Sequence, residues 1–265
     1  MNFLTYFALV LLLGLSIGMF VLLFRRVYAG GGGTVQVGFF SWVDLALASV
    51  FVLFSLYQVL GSASVSPTTL ENIDTGTIVL LQLAWWGLIL GPILLSLRFR
   101  GLRLGSAFGV DRMPVGRSVL LGIALLISAY PLVAAAGDVS AYVLKINPAK
   151  DSQEIMLIFE NATNAGQRIP IILLAVAIAP VAEELAFRGY LYGVIKRYFG
   201  AVPALLLSSI LFALIHLNLP SFFPLFVLGA VFALAYELSG SLLVPMTMHA
   251  SFNAISLVAV LIELR

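Results

Sequence analysis

Eight stretches of predominantly apolar residues, at 3–24, 39–61, 76–97, 117–143, 169–193, 201–218, 221–238 and 242–263, take up most of this 265-residue chain. A helix of about 20 such residues matches the ~30 Å hydrocarbon core of a bilayer. Lipid offers no partner to a free peptide group, so long apolar runs cross it as helices whose hydrogen bonds close internally. The chain therefore reads as an all-α, polytopic transmembrane helical bundle of about eight spans, an integral multi-pass membrane protein. With 62% hydrophobic and 10% charged residues it has too few polar groups for an ordinary soluble surface. The first run is longer than a signal-peptide core, has no basic segment before it and is followed by Arg25 and Arg26, so it is expected to be retained. The absence of cysteine excludes disulfides, a thiolate nucleophile and Cys-based metal sites.

The net charge is only +2, but its placement is uneven. Arg25, Arg26, Arg98, Arg100, Arg103, Arg112, Arg117, Lys196 and Arg197 all fall in connections that eight alternating spans put on one face. Basic residues mark the cytoplasmic side of short loops. The other face carries Lys145, Lys150, Arg168 and Arg265, diluted by Glu71, Asp74, Asp151, Glu154, Glu160 and Glu263. Both termini are thus expected away from the cytoplasm. The basic face is read as a topology signal in contact with anionic lipid, not as a nucleic-acid site.

Three regions differ in character. Residues 1–145 look like N-terminal membrane scaffold, with Asp44 and Asp138 near span ends and a flexible Gly30–Gly33 connection. Gly14 with Gly18, and Gly87 with Gly91, permit close helix approach. Residues 146–168 form a polar connection, where Ile155, Met156, Ile158 and Phe159 suggest a short helix lying in the interface. Residues 169–265 hold the chemistry. Pro131, Pro180 and Pro224 sit in or at the start of spans, and Pro180, lacking an N–H, should free a carbonyl close to Glu183.

An acid near the middle of a bilayer helix costs about 2.5–3.5 kcal/mol on insertion scales, so Glu183 and Glu184 in the fifth run need a reason. Neighbours on a helix point about 100° apart, and the two acids therefore serve different ends. Glu184 stands four residues before Arg188, in the favourable order for an ion pair. Glu183 has no such cation and suits a general base. The chain's two histidines, His216 and His249, also lie in late apolar runs. If the fifth and sixth runs form a hairpin turning near Tyr198–Ala201, Glu183 and His216 lie at one level and can share a water. His249 and Asn253 share a face of the last span. For all four to meet, the first hairpin must project further to the cytoplasmic side than the turn at Ser239–Ser241.

Glu183-Glu184-x-x-x-Arg188, Phe212-x-x-x-His216 and His249-x-x-x-Asn253, in this order on separate spans, resemble the CAAX protease and bacteriocin-processing family of intramembrane proteases, which includes the prenyl-protein endopeptidases. The resemblance implies that Glu183 and His216 activate a water, that His249 and Asn253 stabilise an oxyanion, and that Glu184 and Arg188 support the site. It covers about residues 169–263. No cofactor is required in this reading. The rival form of the chemistry has His216, His249 and Glu183 holding a divalent metal such as zinc, although no His-Glu-x-x-His helix is present. The expected substrate is a membrane-associated or lipidated protein or peptide, with membrane lipid as the other partner. The active site is expected toward the cytoplasmic side.

Two readings of other classes compete. A proton-coupled transporter would use Glu183 and His216 as a relay, yet no internal repeat is evident. A catalytically idle scaffold or immunity factor would keep its function without Glu183. Gly14-Leu15-Ser16-Ile17-Gly18 has the spacing of a nucleophile elbow but no strand before it. Asp44 and Asp138 are too far apart along the bundle for an aspartyl dyad. The charge asymmetry is tested by a reporter fused after Arg265. Activity is expected only from a reporter that works outside the cytoplasm, and a cytoplasmic signal would reverse the placement of the site.

Overall fold

The computed structural model describes residues 3–29, 33–62, 74–145 and 154–263. Gly30 to Gly32, Glu71, Lys150, Asp151 and Arg265, named above, lie outside them. Among the described residues all regular structure is helical. Helix α1 (Phe3–Phe24) runs on into a wider-turned stretch, Arg25–Ala29. It is followed by α2 (Trp42–Ser62), α3 (Thr75–Phe99), the single turn α4 (Leu104–Ala107), α5 (Val115–Leu144) and the short α6 (Glu154–Asn161). The fifth apolar run is the middle of a 35-residue helix, α7 (Ala165–Phe199). Helices α8 (Ala201–Leu214), α9 (Phe222–Ser239) and α10 (Leu243–Glu263) complete the order.

Seven of these helices are long and apolar enough to cross a membrane. The remaining apolar helix is the shorter α8, whose 14 residues reach about 21 Å at 1.5 Å per residue, in keeping with a bundle of about eight spans. The sixth run, expected to be helical to residue 218, stops early because Leu217 takes a left-handed conformation, φ 53°, which turns the chain out of the helix. Asn218 then caps the short 3-10 turn Leu219–Ser221 by accepting from the Ser221 N–H at 2.9 Å.

Burial is concentrated where the polar residues are. Half of the apolar window is buried in α7 and α9, against 11% in α1. Helix α9 packs against α5, α8 and α10, and α10 also packs on α5. A satellite cluster of Phe159, Ala162, Ile171, Ala175 and Leu257 joins α6 and the start of α7 to α10. Phe159 from the expected interfacial helix is fully buried there.

The connections carrying most of the basic residues meet at one end of the bundle. Thr34 N–H donates to the Glu237 carbonyl at 3.1 Å, Arg112 Nη1 to the Thr34 carbonyl at 2.8 Å, Arg100 Nη1 to the Phe39 carbonyl at 3.2 Å, and Leu242 N–H to the Phe108 carbonyl at 3.2 Å. Two buried carboxylates fasten this end. Asp44, expected merely near a span end, is fully buried, pairs with Arg100 at 2.6 Å and accepts from the Tyr190 hydroxyl at 3.2 Å. Glu237, also fully buried, accepts from Tyr192 Oη at 2.6 Å, Val35 N–H at 3.2 Å and Lys196 Nζ. Gly33, with φ +55°, lies so close that a Cβ there would overlap the Glu237 carboxylate. One side chain thus binds the N-terminal connection to α7 and α9. Replacing Glu237 with Ala leaves these donors without their shared acceptor. By the usual cost of breaking a buried ion pair, the loss is expected to be about 3–5 kcal/mol, read as a lowered unfolding midpoint of the purified protein.

Candidate active site

The site is built on the stretch of α7 where helical pitch changes. Residues Leu174–Ile178 and Leu185–Tyr192 are wider-turned, and the α-helical piece Ala179–Glu184 lies between them. Such insertions re-aim side chains and are found mostly at functional sites. Glu183, at the end of this piece, has a side chain only 11% exposed, and Glu184 is fully buried. Their different directions give them different partners.

Glu184 Oε1 accepts from Arg188 Nη1 at 2.8 Å and from His249 Nδ1 at 2.9 Å. The ion pair with Arg188 agrees with the spacing, whereas the contact with His249, 65 residues away, had no signal in sequence. Arg188 is fully buried, its guanidinium 4.2 Å from the ring centre of Phe212, 5.1 Å from Phe232 and 5.9 Å from Phe187. Aromatic faces attract a desolvated cation. Its Nη2 donates to the Gly229 carbonyl at 3.2 Å. Gly229 permits this approach, since a Cβ there would lie 3.1 Å from Nη2 and 3.2 Å from Ser209.

Phe212 organises the second motif in two ways. Its carbonyl accepts a hydrogen bond from His216 Nδ1 at 2.7 Å, and its ring stands edge-on to both imidazoles, 4.9 Å from His216 and 5.7 Å from His249. A carbonyl only accepts, so His216 Nδ1 carries the proton and Nε2 of the neutral ring keeps a lone pair. The same logic applies at His249, where Nδ1–H points to the Glu184 carboxyl oxygen that also pairs with Arg188. Neutral His249 therefore has a lone pair at Nε2, and protonated His249 has a second N–H there.

Both Nε2 atoms turn toward one oxygen. Glu183 Oε2 lies 4.0 Å from His216 Nε2 and 3.8 Å from His249 Nε2, and it has no hydrogen-bond partner in the protein. Glu183 and His216 thus lie together as their levels in sequence implied, and His249 joins them. His249 is only six residues into α10, whereas Glu183 is sixteen before Phe199, so the tip of α7 projects past the α9–α10 turn by roughly 10–15 Å. Asn253 is the outlier. Its Nδ2 donates one of its two N–H groups to the Ala175 carbonyl at 2.8 Å.

The donor types suit a divalent metal, and the Nε2 atoms of His216 and His249 stand 4.0 and 3.8 Å from Glu183 Oε2. Tetrahedral zinc with bonds near 2.0–2.1 Å sets its ligand atoms about 3.3 Å apart. The separations from Glu183 Oε2 are a few tenths of an ångström wider than this.

Residues 165–255, which span α7 to most of α10 and contain all three motifs, match the family model described as Type II CAAX prenyl endopeptidase Rce1-like. Over this stretch the chain resembles the CAAX protease and bacteriocin-processing family. The chain is also similar to the protein named "Putative membrane peptidase YdiL" of Bacillus subtilis (strain 168), at 26% identity over 140 residues, which is 52% of this chain and 55% of that protein. It thus spans about half the length of that curated relative. No solved structure matches it. Sequence reasoning missed Phe187, Phe232 and Gly229, since aromatic residues and a glycine inside apolar helices look like ordinary packing. Replacing Arg188 with Met leaves Glu184 buried beside His249 alone, an expected loss of about 3–5 kcal/mol. The double change Glu184→Met with Arg188→Met should recover part of it in the same melting experiment, because no uncompensated charge then remains.

Proposed function

We propose that the protein is an intramembrane endopeptidase that hydrolyses a peptide bond of a membrane-associated or lipidated protein, with water activated by Glu183 and His216. The observation that carries this reading is the convergence of two imidazole Nε2 atoms on the unpartnered Glu183 oxygen. Two polar atoms 4.0 Å apart, each about 2.8 Å from a common water, subtend about 90° at it, a comfortable angle for two hydrogen bonds. Glu183 takes the proton from this water as its oxygen attacks the carbonyl carbon, and the lone pair of His216 Nε2 accepts the second hydrogen bond and orients it. The tetrahedral intermediate carries its negative charge on the former carbonyl oxygen. Protonated His249, held by the Glu184 carboxylate at Nδ1, offers Nε2–H to that oxyanion. Glu183 then returns its proton to the leaving amine. Arg188 fixes the Glu184 carboxyl group and so keeps His249 oriented.

The family match over 165–255 and the curated relative's name support a membrane peptidase. The basic end of the bundle supports a site toward the cytoplasmic side, because His249 is about 9 Å along α10 from that end. Both termini would then face away from the cytoplasm. Lipidated substrate and bilayer lipid are the expected partners.

Glu183→Gln keeps the shape of the side chain and removes the base. The turnover number is expected to fall by about 10²–10⁴, the usual contribution of a general base, with the melting temperature unchanged or higher. A fully active Glu183→Gln protein would remove the assignment. Elemental analysis of active, detergent-purified protein tests the metal alternative alongside. Activity that persists after chelation, without stoichiometric metal, is expected. One equivalent of zinc, lost on inactivation and restored with activity, would replace this mechanism with a metal-dependent one.

A further inference from the structure

We infer that Asn253 is a positioning residue that holds the Glu183 turn in place by satisfying a backbone carbonyl that Pro180 leaves without a donor. This inference rests on the peptidase reading for its catalytic consequence and on the hydrogen bonds alone for the tether. In a helix the carbonyl of Ala175 would be bonded by the N–H four residues on, or five residues on where the turn is wide. Neither serves. The N–H of Ala179, four residues on, is directed to the Leu174 carbonyl. The fifth residue is Pro180, which has no N–H.

The surroundings of Ala175 make this carbonyl costly to abandon. Ala175 is 6% exposed and shares a cluster with Phe159, Ile171 and Leu257, of which Phe159 is fully buried. A buried carbonyl with no partner forfeits its hydration without return. Asn253 Nδ2, reaching from α10, donates to it at 2.8 Å. The amide therefore spans α10 and the wide-turned stretch immediately before the piece that ends in Glu183 and Glu184. His249, one helical turn earlier on α10, grips Glu184 at 2.9 Å. Helix α10 thus holds α7 at two points, one on each side of Glu183 along the bundle. A shift of about 1 Å at a reacting group is enough to cost 10²-fold in rate, so a tether this close to Glu183 bears on turnover without touching substrate.

An oxyanion donor and a tether make opposite predictions for one double substitution. Pro180→Ala restores an N–H five residues beyond Ala175, in register for the orphan carbonyl. If Asn253 is a tether, Asn253→Ala lowers kcat by about 10- to 100-fold in the native background but by under about 3-fold in the Pro180→Ala background, with KM little changed. The melting temperature should show the same rescue, and this second readout needs no activity. An equal kcat loss in both backgrounds, with no coupling in melting temperature, would overturn the inference. Melting-temperature coupling in a protein with no peptidase activity would uphold the tether and sink the functional reading instead.

Discussion

The fully buried pair of Glu184 and Arg188 is the constraint around which the C-terminal half is arranged. Neither side chain exposes any surface, and they meet at 2.8 Å inside an otherwise apolar bundle. Ions in such a place depend on further partners. Here the guanidinium is enclosed by Phe187, Phe212 and Phe232 and bonded to the Gly229 carbonyl, and Oε1 of the carboxylate is shared with His249, while Glu184 Oε2 and Arg188 Nε have no hydrogen-bond partner. Four helices, α7 to α10, each contribute at least one of these groups. Packing and electrostatics therefore select the same arrangement, and the imidazole of His249 is oriented as a by-product of satisfying the pair.

Glu183 is the complement of that arrangement. Each acid has a buried Oε2 with no hydrogen-bond partner, but Glu184 Oε1 binds Arg188 and His249 while Glu183 Oε2 faces the Nε2 atoms of both histidines, so the two adjacent acids divide the work. Protein interiors seldom leave such an atom without a bond. A reacting water is a natural occupant of the space Glu183 Oε2 faces. The wider turns on either side of Ala179–Glu184 loosen the helix's own hydrogen bonding just where outside groups engage it, at Ala175 from α10 and at Arg188 from α9.

Much of this is legible in the chain itself, for reasons that differ by residue. Rare ionisable residues in apolar runs announce themselves, and helical spacing links Glu184 to Arg188. Antiparallel counting from the hairpin tip puts Glu183 level with His216, because both connecting segments are nearly continuous helix. Pro180 signals a freed carbonyl but not what fills it. The long-range partners are the part that escapes, since nothing local tells that His249 meets Glu184, that Glu237 binds Lys196 and Tyr192, or that Asp44 is enclosed by Arg100 and Tyr190. The early end of α8 escapes as well, because a left-handed Leu217 is unusual for a non-glycine residue.

The central claim is that water, activated at Glu183, cleaves peptide bonds in a membrane substrate. Vesicles prepared from cells lacking the protein, supplied with purified wild-type or Glu183→Gln protein in ¹⁸O-labelled water, test it directly through mass spectrometry of new peptide C-termini. The account predicts termini carrying one ¹⁸O atom with the wild-type protein and none with Glu183→Gln. The same set of labelled termini from both proteins, or no new termini from the wild type, would contradict it.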